Sequence, residues 1–237
     1  AKGLGWGFVD NFVGTGITAV VSILLARILS PQEFGLVGMI AIFISLGNSL
    51  MDSGFSGALI RKKDATDKDL STVFYTNLIL SIVIYAILYL CAPAIGSFLG
   101  NSFLTTLLRV LGLSVVIMSF TQVQKVNFIR KIDFRTQAII SLAASLVSGV
   151  VSIWMALKGC GVWSLVAQQL SKQAVVSLLL WVFSTWKPSF TFSFASFKEM
   201  FGFGSRLLAC SLISVIWNEI YSLVIGKMYN PIAVGYF

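Results

Sequence analysis

S-I-L-L-A-R-I-L-S-P at residues 22–31 and S-L-V-I-G-K-M-Y-N-P at residues 222–231 read as one segment written twice. At an offset of 200, Ser22 falls on Ser222, Arg27 on Lys227 and Pro31 on Pro231, and Gly35 carries the register on to Gly235. Upstream, Gly5-Trp6-Gly7 recurs as Gly202-Phe203-Gly204 after a shift of three residues. Two unrelated apolar helices have no reason to share an Arg/Lys–Pro–Gly spacing, so the match indicates an internal repeat. The expectation is one complete repeat followed by the opening of a second, and hence a longer parent protein.

Composition places the repeat in a membrane. Hydrophobic residues make up 57% of the 237 and charged residues 11%, with no histidine, and mean hydropathy is +0.91. A soluble domain carries about 25% charged residues, so this is a polytopic all-α membrane bundle. Apolar runs of about 20 residues span a bilayer, and they lie near 8–29, 34–60, 73–99, 104–124, 136–157, 162–184 and 204–226. The reading is a six-helix lobe over 1–184, a linker or interfacial segment over 185–203, and the first helix of a second lobe over 204–237. Pro31 breaks the first two spans, and Pro93 is expected to kink the third. Segment 189–203, F-T-F-S-F-A-S-F-K-E-M-F-G-F-G, either lies in the membrane interface or forms the first turns of the seventh span.

The net charge of +8 does not indicate nucleic acid, because the cations sit in short loops between spans. Lys2, Arg61, Lys62, Lys63, Lys68, Lys125, Arg130, Lys131, Arg135, Lys187 and Lys198 fall on one side, eleven of 17 basic residues. Only Arg27, Lys158 and Lys227 lie on the other, so the N-terminus is expected in the cytoplasm. The helices beginning near 8 and 204 then start on the same side, as in parallel repeats about an axis along the membrane normal. The first span is too long for a cleaved signal peptide. Cys91, Cys160 and Cys210 form no metal or disulfide pattern.

Four spans carry polar residues at helical spacing. These are Asn11/Thr15/Thr18/Ser22 with Asp10 at the cytoplasmic end, Ser45/Asn48/Asp52/Ser56, Asn77/Ser81/Tyr85/Tyr89, and Ser211/Ser214/Asn218/Ser222. Each needs protein or water opposite it, so they are expected to converge on one wet cavity. The stripe Ser141/Ser145/Ser148/Ser152, with Gly149 beside it, has the small residues of a close helix–helix contact instead.

Ionisable groups deep in a bilayer cost at least about 2.5 kcal/mol and therefore mark candidate sites. Lys172 stands midway along the sixth span with Gln168, Gln169 and Gln173, a patch able to bind an anion or a polyhydroxylated ligand. Arg109 and Arg206 lie nearer span ends, where they either snorkel to headgroups or reach the cavity. Asn48 and Asn218 complete the candidate binding set. Asp52, Glu219 and Asp10 are the candidate ion-coupling carboxylates, although Asp52 can equally cap a neighbouring loop. Without histidine there is no zinc-binding HExxH motif and no Ser-His-Asp triad, and no phosphate-binding G-x-x-x-x-G-K-[ST] loop is present. No cofactor and no enzymatic activity are expected, and transport without an ATPase motif draws on an ion gradient or substrate flux.

A-R-I-L-S-P-Q-E-F-G-L-V-G-M (26–39), D-S-G-F-S-G-A-L-I-R-K (52–62), L-S-T-V-F-Y-T-N (70–77), R-K-I-D-F-R (130–135), G-V-W-S-L-V-A-Q-Q (161–169) and F-G-F-G-S-R-L-L (201–208) together resemble the polysaccharide transporter family. The closest flavour is the Wzx-type lipid-linked oligosaccharide flippase of colanic-acid-exporter type, in the multidrug/oligosaccharidyl-lipid/polysaccharide superfamily. The resemblance implies two six-helix lobes about a central cavity in a bacterial inner membrane. It implies undecaprenyl-pyrophosphate-linked sugar repeat units as cargo, membrane lipids as surroundings, and a polysaccharide polymerase and chain-length regulator as partners. A pyrophosphate–sugar headgroup needs cations and amide donors, for which Arg109, Lys172 and Arg206 with Gln168, Gln169 and Gln173 are available. A cation-coupled multidrug antiporter of the same superfamily and a membrane-embedded glycan ligase or polymerase are the alternatives. The antiporter would show more cavity carboxylates, and the ligase large outer loops.

Overall fold

In the computed structural model the described residues are 2–52, 54–62 and 64–237, with burial and side-chain contacts described for residue 14 and from residue 16 onward. Helices fill every long apolar run, and breaks fall at Pro31, at Gly54, Gly100, Gly159 and Gly161 with positive φ, and at Ile132, which also takes a positive φ. Helix α1 (Lys2–Ile28) stops before Ser30-Pro31, and α2 (Pro31–Asp52) starts on that proline. Glu33 Oε2 accepts from the Ser30 amide at 2.7 Å and from its hydroxyl at 3.0 Å, holding the junction. After α3 (Phe55–Arg61), α4 (Asp67–Phe98) opens on a Thr66–Asp69 capping box, which satisfies two of its free amides. Helices α5 (Phe103–Arg130), α6 (Phe134–Leu157), α7 (Trp163–Phe183), α8 (Phe194–Met228) and α9 (Pro231–Tyr236) complete the chain.

Among the described residues six helices are long and apolar enough to cross a membrane, and α1 adds the apolar stretch Gly16–Ile28. The protein is a multi-pass membrane protein, a six-helix lobe followed by the first helix of a second, parallel repeat. The repeat is visible in the construction. Helix α1 ends at Ile28 and α2 begins at Pro31, while α8 ends at Met228 and α9 begins at Pro231. Helices α2 and α9 then pack on each other through equivalent residues. The Gly35 backbone lies against the Pro231 carbonyl and the Gly235 backbone against the Pro31 carbonyl, with no space for a side chain at either glycine.

One expectation needs correction, and one pair of alternatives is decided. The second span does not run unbroken from 34 to 60: α2 ends at Asp52, and Gly54 turns the chain at φ 71° before α3. A left-handed φ suits glycine, and the Gly204 backbone of α8 lies where a side chain at Gly54 would stand. Of the two readings of 189–203, residues from 194 onward form the first turns of the seventh span, since α8 runs for 35 residues from Phe194, about 50 Å at 1.5 Å per residue. The stretch before it is strapped down: the Ser189 and Ser193 amides each donate at 3.0 Å, to Ser71 Oγ and Thr72 Oγ1 respectively, and Gln124 Nε2 reaches the Trp186 carbonyl at 3.3 Å. At the same end Lys62 bridges Asp69 at 3.3 Å and Glu199 at 2.9 Å, tying α8 to the lobe. The Glu199 carboxylate, followed by Asp69, holds the Lys62 ammonium above its usual range against the opposing effect of burial.

Pro93 sits inside α4 and leaves the Tyr89 carbonyl without its helical partner. Arg109 supplies one, its Nε donating to Tyr89 O at 3.4 Å while its guanidinium lies 4.3 Å over the Tyr89 ring. The small stripe on α6 does make the expected close contact. Ser145, Ser148 and Ser152 are buried, α1 packs on α6, and Val21 fills the space above Gly149.

Candidate functional site

Helix α7 carries Gln168, Gln169, Lys172 and Gln173 at three- and four-residue spacing, so they share one face. That face lies between α1, α2, α5 and α6 and borders two chambers. The first, about 390 Å³, is walled by Thr121, Gln122 and Lys125 of α5, Gln137 and Ser141 of α6, and Gln169, Lys172 and Gln173 of α7, with apolar residues between them. The second, about 290 Å³, is walled by Thr18 and Val21 of α1, Phe34 and Val37 of α2, Ser145 and Ser148 of α6, and Leu165, Gln168, Gln169 and Lys172 of α7. Lys172 and Gln169 belong to both walls. The Lys172 ammonium donates to Thr18 Oγ1 at 3.1 Å, and the Thr18 hydroxyl donates onward to the Gly14 carbonyl at 2.8 Å.

Two buried polar groups in these walls lack a partner. Gln137 is 9% exposed and its Nε2 is buried without a partner, and the buried Ser145 hydroxyl is also unpaired. Among the described residues no carboxylate lines either chamber. An arrangement of ammonium and amide donors in a partly enclosed space can bind an acceptor-rich anion or a hydroxylated ligand.

The polar stripes do not converge on one space. Thr18 meets Lys172, but Asn11, Thr15 and Asp10 have side chains outside the described set. Ser45 donates to Glu219 at 3.4 Å across the α2–α8 contact. Asp52 accepts from the Ser56 hydroxyl and, at 3.4 Å, from its amide, bracing the break before α3. The Asn48 Oδ1 is buried without a partner, and Asn77 and Ser81 are fully buried on α4. Asn218 is exposed and donates to Ser214 at 3.4 Å. Arg206 is exposed and Arg109 is engaged with Tyr89, so neither lines a chamber. Gln122, Lys125 and Gln137 are wall residues that sequence reading passed over. Thr121, Gln122 and Lys125 do have helical spacing, but Lys125 counts as a loop cation until α5 is seen to run on to Arg130. No cluster of metal-binding side chains occurs among the described residues.

A sequence profile described as polysaccharide biosynthesis protein matches residues 24–237. The chain belongs to that family. It is 27% identical to the teichuronic acid biosynthesis protein TuaB of Bacillus subtilis (strain 168), over 100% of this chain and 49% of that protein. It is 25% identical to the succinoglycan biosynthesis transport protein ExoT of Rhizobium meliloti (strain 1021), over 95% of this chain and 46% of that protein. Identity to the lipopolysaccharide biosynthesis protein WzxC of Escherichia coli (strain K12) is 26%, over 99% and 48%. The chain thus spans about half the length of the curated relatives it matches. In fold it resembles a multidrug resistance MATE family transporter of the MOP superfamily solved in an inward-facing conformation, with a TM-score of 0.63 at 18% identity over 99% of this chain and 59% of that one. Within this family fold the two chambers lie inside the first lobe, among α1, α2, α5, α6 and α7.

Proposed function

We propose that this chain works in a transporter that carries an undecaprenyl-pyrophosphate-linked oligosaccharide repeat unit across the bacterial inner membrane for surface polysaccharide synthesis. One observation carries the reading: Lys172, midway along a spanning helix, stands in the shared wall of two polar chambers that are lined by no carboxylate among the described residues. A cation whose described partner is a neutral hydroxyl is costly at that depth, and an anionic cargo group offsets the cost. The glutamines beside it suit sugar hydroxyls. The internal repeat supports a lobe of residues 1–184 working opposite a second of like build, with 185–203 between them and the N-terminus cytoplasmic. The two lobes rock to open the site to either side. A polysaccharide polymerase and a chain-length regulator fit as downstream partners. A multidrug antiporter handling cationic cargo is disfavoured, because lysine in the chamber wall repels such cargo.

In a cell whose surface polysaccharide depends on this protein, Lys172→Ala abolishes the polysaccharide at unchanged membrane abundance, and Lys172→Arg retains part of it. Normal polysaccharide from the alanine variant, measured beside its abundance, excludes Lys172 from transport.

A further inference from the structure

Lys172 belongs to both chambers, but its ammonium is held toward the second. Its partner Thr18 lines that chamber and not the first. Because the Thr18 proton is directed to the Gly14 carbonyl, Oγ1 presents a lone pair to Lys172. The first chamber meanwhile holds a second cation and, among the described residues, no carboxylate to receive it. Lys125 is exposed at its edge, Gln122, Gln169 and Gln173 are amides in its wall, and the Gln137 Nε2 is buried with no partner. Leaving such a buried donor unpaired is unfavourable. A compact, acceptor-rich anion suits such a wall, because it reaches several donors at once.

We propose that the first chamber binds a phosphate or pyrophosphate group through Lys125, Lys172 and Gln137, and that Thr18 parks Lys172 outside it until the anion arrives. The proposal rests on the transport reading above and goes beyond it by placing the anion in the first chamber and by naming two further ligands and the residue that competes for the lysine. Anion binding turns Lys172 away from Thr18. Lys172 and Gln169 are common to both walls as described, so that movement alters the boundary the chambers share. Loading of the first chamber and reshaping of the second are then one event.

The test uses the purified full chain in phosphatidylcholine nanodiscs, titrated with inorganic pyrophosphate and, separately, with a prenyl pyrophosphate, in a calorimeter. Lys125→Gln and Lys172→Gln each weaken binding by about tenfold or more, the loss of one charge-assisted hydrogen bond. Thr18→Val tightens binding by about threefold or more, because a larger fraction of the free protein has Lys172 available. Thr18→Ser, which keeps the acceptor, binds as the parent does and controls for folding. Tighter binding of the prenyl compound assigns the site to a lipid headgroup, and equal binding assigns it to the anion alone. Binding of neither overturns the site. Parent-like binding by Lys125→Gln overturns its placement in the first chamber. Unchanged or weaker binding by Thr18→Val overturns the parking, and if Lys172→Ala still abolishes polysaccharide the transport reading stands without it.

Discussion

Arg109 and Lys172 are both cations within spanning helices, yet their neighbours give them different work. Arg109 completes the hydrogen bonding of α4 where Pro93 leaves the Tyr89 carbonyl open, and in a bilayer no water is at hand to do so. Lys172 has one neutral partner and two chambers beside it. The difference is measurable in a double-mutant cycle on thermal stability in detergent. Arg109→Ala is expected to cost about 1–2 kcal/mol in the parent, for one hydrogen bond to a charged group. In a Pro93→Ala background the restored helical amide takes the same carbonyl, and the cost of Arg109→Ala shrinks to that of the Tyr89 ring contact. Equal costs in the two backgrounds would show that Arg109 does not serve that carbonyl.

At the scale of elements, the joints between the lobe and the second repeat are glycine contacts between backbones. Gly54 of the α2–α3 break meets Gly204 of α8, and Gly35 of α2 and Gly235 of α9 meet each other's proline carbonyls. These contacts let helices approach without a hydrophobic drive between them, as membrane helices require. Gly35→Ala and Gly235→Ala are each expected to destabilise by about 1–3 kcal/mol, because the added methyl meets backbone that cannot move aside. Their effects are comparable, and the double variant loses less than the sum, since both spoil one contact. Gly202→Ala, where nothing stands within 4 Å, is neutral or slightly stabilising by helix propensity. Melting curves of the four variants check the set. A destabilising Gly202→Ala, or an additive double variant, would refute the reciprocal contact.

For the whole molecule, the alternation of spans places 61–66, 131–133 and 184–193 at one end. The Lys131–Thr185 bond at 3.3 Å joins the second and third of these, and the Lys62–Glu199 pair ties the first to the opening turns of α8, just beyond the third. At the other end Lys227 donates to the Phe98 carbonyl, and the Phe103 and Trp163 rings lie 6.0 Å apart. The cation-rich end is expected to be cytoplasmic. With Cys91 and Cys210 replaced by serine, exposed Cys160 reacts with a membrane-impermeant maleimide in intact cells. A cysteine at exposed Asp64, in a version also lacking Cys160, reacts only after lysis. Labelling of position 64 from outside reverses the orientation.

What the sequence by itself determined is the membrane class, the order of the spans, the alternation of loops and the repeat, because these follow from local apolarity, breaking residues and spacing along the chain. The break at Gly54 escaped it, since an apolar window passes through a glycine whose left-handed turn is demanded by α8, 150 residues further on. Lys172 with its glutamines was legible because a lysine amid apolar residues stands out and helical spacing fixes its face. Which cations share that space was not. Arg109, Arg206 and Lys172 look alike as isolated charges, and only packing against Tyr89, open surroundings or Thr18 separates them. The Lys125 and Gln137 walls belong to α5 and α6, and the order of residues along a chain carries no direct record of which helix faces come together. That record lies in tertiary packing, where small residues such as Gly149 set how closely helices approach and therefore where space is left for a ligand.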